Sequence, residues 1–366
     1  MIVAEILSIT KNASTSDVNR ALTRTQLEER DIAALLSPAA LPYLENIAIK
    51  AQQITRQRFG RTMQLYAPLY ISNECVNRCS YCGFANHLDI ERITLSIDAV
   101  VSEAQYLYNQ GFRHILLVAG ESPRFVPVSY LEKIATAIGP MFASLSIEIG
   151  ALNLDGYKRL VTAGYDGIAL YQETYDLDIF KRVHLAGPKA NYQRRLQAIN
   201  DAGQAGFRSL GIGSLLGLGP WQYEALALVQ HARELSRKFW RSRIAISFPR
   251  IRKHAGDNHE KLIHVNDRDL VQMICTIRIA MPDADLVLST REPAVLRDNL
   301  INLGITRVSA GSCTHPGGYG GISHAGEQFG IKDHRSAEEV ANTLSLHGFE
   351  PVWKDFDQVF ISSSAP

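Results

Sequence analysis

Two rhythms of apolar and polar residues divide the chain. Up to residue 63 apolar side chains recur at helical spacing, with Thr15-Ser16-Asp17 offering an N-cap ahead of Val18 and Leu22. The pattern continues over 31–36 and 41–56 and breaks at Ser37-Pro38, so this stretch reads as helices covering one end of a main domain. From residue 64 short apolar runs alternate with longer amphipathic stretches. The runs predict strands over 64–72, 114–118, 144–149, 167–171, 209–216, 244–248, 285–289 and 305–310. The stretches between predict helices over 98–109, 129–138, 154–163, 190–205, 221–238, 267–280 and 293–302. Gly111, Gly164, Gly206 and Gly304 each stop a helix just before the next strand. Pro68 sits awkwardly in the first strand, because it brings no N–H to a ladder.

Regular β-α alternation predicts a parallel sheet. Eight repeats in about 250 residues fit a closed (β/α)₈ TIM-type barrel, with an open doubly wound sheet as the competitor. Residues 1–63 then form an N-terminal helical extension, 64–310 the barrel, and 311–366 a C-terminal extension with a glycine-rich loop over 313–321 and a last helix over 336–347. A barrel gathers functional groups at the carboxyl ends of its strands. That face would carry Cys75, Cys79 and Cys82 after the first strand, Gly120 and Glu121 after the second, and Gln172-Glu173-Thr174 after the fourth. Arg291 follows the seventh strand and Ser309 ends the eighth.

Composition narrows the class. With 46% hydrophobic and 20% charged residues among 366, the chain is an ordinary globular protein. Lys plus Arg (38) nearly cancels Asp plus Glu (37), which argues against nucleic acid or an anionic membrane as partner. Five cysteines, three in one loop, point to a reducing compartment and a metal site rather than a disulfide framework. With no secretory signal and no membrane-length apolar run, the expectation is a soluble cytoplasmic protein. Cys275, within an apolar helix, reads as packing, and Cys313 as a bystander near the barrel mouth.

Three thiolates on one loop can hold three corners of a [4Fe–4S] cluster and leave the fourth iron open. A three-cysteine zinc site is the metal alternative, with His87 as the available fourth ligand. The cysteine spacing, with an aromatic just before the last, resembles the signature of the radical S-adenosylmethionine (SAM) enzymes. That resemblance implies a SAM cofactor on the open iron, reductively cleaved to methionine and a 5′-deoxyadenosyl radical. It further implies that Gly120 and Glu121 meet the SAM amino group, and that Tyr81 and the strand glycines Gly211 and Gly213 border adenine. Glu173 would contact the ribose or ammonium and Arg195, or its neighbour Arg194, the carboxylate.

A closer likeness covers most of the chain. Tyr-Ile-Ser-Asn-Glu-Cys-Val-Asn-Arg-Cys-Ser-Tyr-Cys-Gly-Phe (70–84), Tyr-Gln-Glu-Thr-Tyr (171–175), Ser-Phe-Pro-Arg (247–250), Leu-Ser-Thr-Arg-Glu (288–292), Pro-Gly-Gly-Tyr (316–319) and Pro-Val-Trp-Lys-Asp (351–355) resemble the tyrosine lyases of thiamin biosynthesis. The family implies cleavage of the Cα–Cβ bond of L-tyrosine to 2-iminoacetate (dehydroglycine) and p-cresol. Arg291 is the candidate clamp for the tyrosine carboxylate, since a bidentate arginine supplies both charge and geometry, and Ser309 could add a hydrogen bond. The implied partners are thiazole synthase (ThiG) and a flavodoxin or ferredoxin electron donor. Three other readings compete. A lyase like that of [FeFe]-hydrogenase maturation would carry a second cysteine motif in a C-terminal domain, and no cysteine follows Cys313. A biotin-synthase-like enzyme would need further cysteines within the barrel strands, and a non-catalytic iron–sulfur protein would need neither Glu173, Arg195 nor Arg291.

Overall fold

A computed structural model describes residues 3–252, 262–321 and 325–356. Eight parallel strands form the central sheet: β1 (Thr62–Ser72), β2 (His114–Ala119), β3 (Ser144–Glu148), β4 (Gly167–Ala169), β5 (Ser209–Gly213), β6 (Arg243–Ser247), β7 (Asp285–Leu288) and β8 (Arg307–Ser309). Each pairs with the next, and β8 returns to pair with β1 through Gln64↔Arg307, Leu65↔Val308 and Tyr66↔Ser309. The barrel is therefore closed. A ninth strand, β9 (Glu350–Val352), adds to the start of β1. Pro68 is tolerated because it lies beyond Tyr66, the last β1 residue paired with β8, so no ladder donor is lost.

The N-terminal helices α1 (Val3–Asn12), α2 (Thr15–Thr23), α3 (Glu29–Leu35) and α4 (Leu44–Phe59) pack on the outside of the barrel, and α5 (Ile97–Asn109), α6 (Val128–Ile138) and α7 (Leu154–Ala163) follow β1, β2 and β3. Their seat is made by α10 (Trp221–Lys238) and α11 (Asp267–Ala280), together with the turn entering β8. Buried Gln272 of α11 donates to the Leu35 and Ser37 carbonyls, and Thr55 donates to the Leu303 carbonyl, so polar groups tie this layer down. Among the described residues no single helix is long and apolar enough to cross a membrane.

Two departures from the expected pattern shape the barrel mouth. β4 stops at Ala169 rather than running to residue 171, and the chain beyond it reaches Glu173 in the left-handed region at φ 71°. Between β4 and α9 (Tyr192–Ala205), where the sequence pattern predicted no element, lie α8 (Leu177–Val183) and a short strand His184–Ala186. That strand pairs antiparallel with Arg78–Cys79 and so grips the cysteine loop. The segment after β8 folds back across the mouth, where Tyr319 Oη donates to the Pro68 carbonyl (2.7 Å) and the Glu103 carboxylate accepts the Tyr319 and Gly320 amides.

The carboxyl end of β8 is held by a buried ion pair. Arg297, on α12 (Ala294–Leu300), pairs with Asp333 and donates to the Ser309 carbonyl. Both side chains are almost fully enclosed, at 2% and 1% exposure. Asp333→Ala should cost about 3–5 kcal/mol by leaving that guanidinium without its carboxylate. Urea unfolding of the variant measures it; a change under about 1 kcal/mol would contradict the assignment.

Candidate active site

The loop after β1 presents Cys75, Cys79 and Cys82 as free thiols, Cys79 buried and the others partly so. Its shape is set by polar side chains. Arg92 donates to the Asn73, Phe84, Ala85 and Leu88 carbonyls, closing the loop from one side. Asn73 adds a side-chain bond to the Glu91 carbonyl and accepts the Ile93 amide. At the centre, Asn77 bridges three segments: its side chain donates to Glu121 (2.7 Å) and accepts the Lys189 amide (2.9 Å), while its own amide points at Cys75 Sγ (3.4 Å). Gly120 allows the end of β2 to close on this loop, because a Cβ there would stand 2.3 Å from the Glu74 carbonyl oxygen.

Tyr81 is held by a defined tautomer. His184 Nδ1 faces the Phe180 carbonyl at 2.9 Å and must carry the proton, so Nε2 accepts from Tyr81 Oη at 2.7 Å. Burial pushes the imidazole down to about 3, which keeps it neutral.

Glu173 is the single non-glycine residue with positive φ among the described residues. Its backbone is pinned by hydrogen bonds to Gly213 and Leu215. Behind it, the buried carboxylate of Glu224 accepts the Thr174 hydroxyl (2.5 Å) and the Tyr175 amide (3.0 Å). The Glu173 side chain meets Lys189 at 2.7 Å. Burial pushes its carboxyl up, but Lys189 and Arg195 together hold it below the ordinary value. Arg195 donates Nε to the Tyr171 carbonyl (2.6 Å) and lines the cavity. Arg194 points elsewhere, to Asp201 and the Leu152 carbonyl.

Two cavities open at this face. One, of about 860 Å³, is lined by the three cysteines, Asn77, Tyr81, Gly120, Glu121, Glu173, Lys189 and Arg195. The other, of about 740 Å³, reaches into the barrel past Tyr66, Tyr171, Ser247, Val287 and Ser309. Glu148, Tyr171, Arg291 and Phe329 belong to the wall they share. Arg291 lies with its guanidinium carbon 3.3 Å from the centroid of the Phe329 ring and makes no ion pair among the described residues. Its neighbour Glu292 is occupied by Arg250 and Arg252 instead. Ser309 Oγ accepts the Thr290 amide at 3.2 Å.

The structure does not bring Gly211 and Gly213 to the cysteine cavity. Gly211 lines a separate, deeper space inside the barrel, while a Cβ on Gly213 would strike the Tyr171 ring at 2.9 Å. Leu215, just past β5, lines the cysteine cavity. Cys313 and exposed His87 line neither cavity. Several lining residues were absent from the sequence reading. Glu148 ends β3, and the strand-end rule applied to the other strands would have found it. Lys189 lies on the connection that showed no periodicity, and Gln328 and Phe329 come from beyond the β-α rhythm.

Residues 69–229 match the radical SAM superfamily, and residues 247–350 match the Biotin and Thiamin Synthesis associated domain. The 2-iminoacetate synthases of Salmonella typhimurium and Escherichia coli are each 42% identical to the chain over 343 residues, which is 93% of this chain and 91% of theirs. The chain belongs to the 2-iminoacetate synthase family. Among solved structures, HydG, a maturase of the [FeFe]-hydrogenase, superposes with a TM-score of 0.91 at 30% identity, covering 98% of this chain and 83% of that one. Methylornithine synthase (PylB) shares the fold, with a TM-score of 0.72 at 21% identity over 92% of this chain and 97% of that one.

Membership makes a [4Fe–4S] cluster and SAM the cofactors of this family's site. The residues present fit both. Among the described residues no three His, Cys, Asp or Glu side chains are gathered closely enough to hold a single metal ion. A tetrahedral zinc site takes all its ligands onto one ion, whereas cluster ligands each take a different iron. Donors are also aimed at sulfur, from the Asn77 amide to Cys75 and from Gln328 Nε2 to Cys82 at 4.0 Å.

Arg92→Ala should loosen this loop without touching a cysteine. Four carbonyls lose a charged donor, for which about 1.5–3 kcal/mol is the expected scale. Hydrogen exchange over 73–90 should accelerate by more than about tenfold, since 1.4 kcal/mol is one decade. Unchanged protection in that segment would show that the loop holds itself.

Proposed function

We propose that this chain is a radical SAM lyase that cleaves the Cα–Cβ bond of L-tyrosine, giving 2-iminoacetate and p-cresol, with SAM converted to methionine and 5′-deoxyadenosine. The observation that carries this reading is the pair of adjoining cavities. One is lined by the thiols and most of the paired charges, the other more by aromatic and apolar side chains with serines and threonines among them, and Arg291, with no ion pair among the described residues, stands where they meet. When bound, the cluster and SAM supply a 5′-deoxyadenosyl radical.

Cys75, Cys79 and Cys82 are the proposed cluster ligands. Tyr81, Gly120, Glu121, Glu173 and Arg195 form the proposed cradle for SAM, with Arg195 rather than Arg194 supplying the cation. Glu121 reaches the cavity through a side chain already oriented by Asn77. Glu173, kept ionised by Lys189, is suited to accept hydrogen bonds from an ammonium or from ribose hydroxyls. Arg291 takes the tyrosine carboxylate in bidentate fashion, braced flat against Phe329, with Ser309 close by on β8. The phenol ring then enters the apolar cavity toward Tyr171, whose hydroxyl donates to Ser247 at 2.9 Å. A flavodoxin or ferredoxin as electron source, thiazole synthase (ThiG) as recipient of the unstable imine, and a cytoplasmic setting complete the proposal.

The direct test is anaerobic reconstitution followed by dithionite, SAM and tyrosine, with 5′-deoxyadenosine and p-cresol measured together. Both should form, and SAM cleavage without p-cresol would remove tyrosine as the substrate. Arg291→Ala should raise the tyrosine KM on the order of tenfold to a hundredfold while iron content stays at the wild-type level. Wild-type tyrosine kinetics in that variant would end the clamp assignment.

A further inference from the structure

An α-amino acid carries its two charges on one carbon, so a site that reads both needs a cation and an anion close together. The other charged side chains that line the two cavities each have a hydrogen-bond or ion-pair partner in the protein. Glu121 takes Asn77, Glu173 takes Lys189, Glu292 takes Arg250 and Arg252, and Arg195 is engaged with the Tyr171 carbonyl. Two charged side chains on the shared wall make no hydrogen bond or ion pair among the described residues: Arg291, which stacks on Phe329, and Glu148, which feels the Arg291 charge without touching it. An unpartnered carboxylate is costly in such surroundings. Keeping one at the end of β3, between the cavities, makes sense where a ligand brings the missing charge.

We propose that Glu148 accepts the α-ammonium group of the amino-acid substrate, opposite the carboxylate held by Arg291. The two side chains then read the zwitterion from the strand ends of β3 and β7, and the Cα–Cβ bond points from between them into the apolar cavity. This rests on the tyrosine lyase reading and adds the residue that distinguishes an amino acid from a plain aryl-propanoate.

The surroundings of Glu148 give the assignment a pH signature. Burial pushes its carboxyl up to about 7, and Glu173 pushes the same way against Arg291, Lys189 and Arg195. The phenols of Tyr66, Tyr70 and Tyr171, from β1 and the end of β4, also face it. A substrate ammonium pairs only with the ionised form. Tyrosine affinity should therefore be full above about pH 7 and weaken as pH falls through it, by up to about tenfold per unit, because a proton must leave Glu148 on binding.

Equilibrium binding to the anaerobically reconstituted holoenzyme with SAM tests this, using L-tyrosine and 3-(4-hydroxyphenyl)propanoate, which lacks the amine. Glu148→Gln should weaken tyrosine by about tenfold or more and leave the amine-free analogue within about twofold, with Glu148→Asp recovering part of the loss. In the wild-type protein only tyrosine should show the acidic fall in affinity. Equal loss of both ligands in Glu148→Gln, or a pH dependence shared by both in the wild type, would overturn the assignment. The wild-type comparison decides the matter even if the variant folds poorly. Failure of the wild type to bind tyrosine at all would remove the lyase reading along with it. Tyrosine turnover with unchanged affinity in Glu148→Gln would remove Glu148 alone.

Discussion

The pairing of β1 with β8 is the contact on which the rest of the site depends. Three residue pairs, Gln64 to Tyr66 against Arg307 to Ser309, join strands that lie at opposite ends of the repeat. Closure places the loop that follows β1 next to the residues that follow β7 and β8. Without it the cysteines and Arg291 would sit at the two edges of an open sheet. With it they line one cavity, and Arg291 can belong to both halves of the mouth. The buried Arg297–Asp333 pair protects the same junction by holding the Ser309 carbonyl.

Charge in the mouth is arranged in two ways. Some groups are neutralised within the protein, as in Glu173 with Lys189, and these are oriented before any ligand arrives. Others, on the shared wall, make no ion pair among the described residues and stay open to a ligand of complementary charge. Arg291 and Glu148 belong to this second group. The left-handed backbone at Glu173 fits the first, since it turns the carboxylate toward Lys189 while Glu224 secures the following turn.

Around these groups a layer of uncharged polar contacts fixes orientation. Asn77 ties the cysteine loop to Glu121 and to the Lys189 backbone, so one side chain couples the proposed cluster ligands to both sides of the SAM cradle. His184 fixes Tyr81, and Tyr70 Oη donates to Gln328, whose backbone carbonyl accepts the Gly83 amide. The C-terminal segment is thus part of the site wall rather than an appendage.

Periodicity was sufficient for the order of the eight barrel strands and for most of the helices between them, though not for α8 or the short strands, and the strand-end rule placed Cys75, Cys79, Cys82, Glu121, Glu173 and Arg291 on one face. Both follow from local physics: side-chain spacing selects helix or strand, and a β-α repeat fixes which strand ends point the same way. Other features needed the folded chain. Arg195 could be told from Arg194 only by the direction each takes from α9, and Gly211 and Gly213 proved to make room for neighbouring chain. Lys189 and Phe329 come from segments with no regular spacing, so nothing local marks them. Whether a charged residue is paired or left open is a property of its neighbours in space. The sequence by itself determined the barrel, the cysteine loop and the face that carries the site, while tertiary structure alone decided which charged groups there are paired and which, like Arg291 and Glu148, make no ion pair among the described residues.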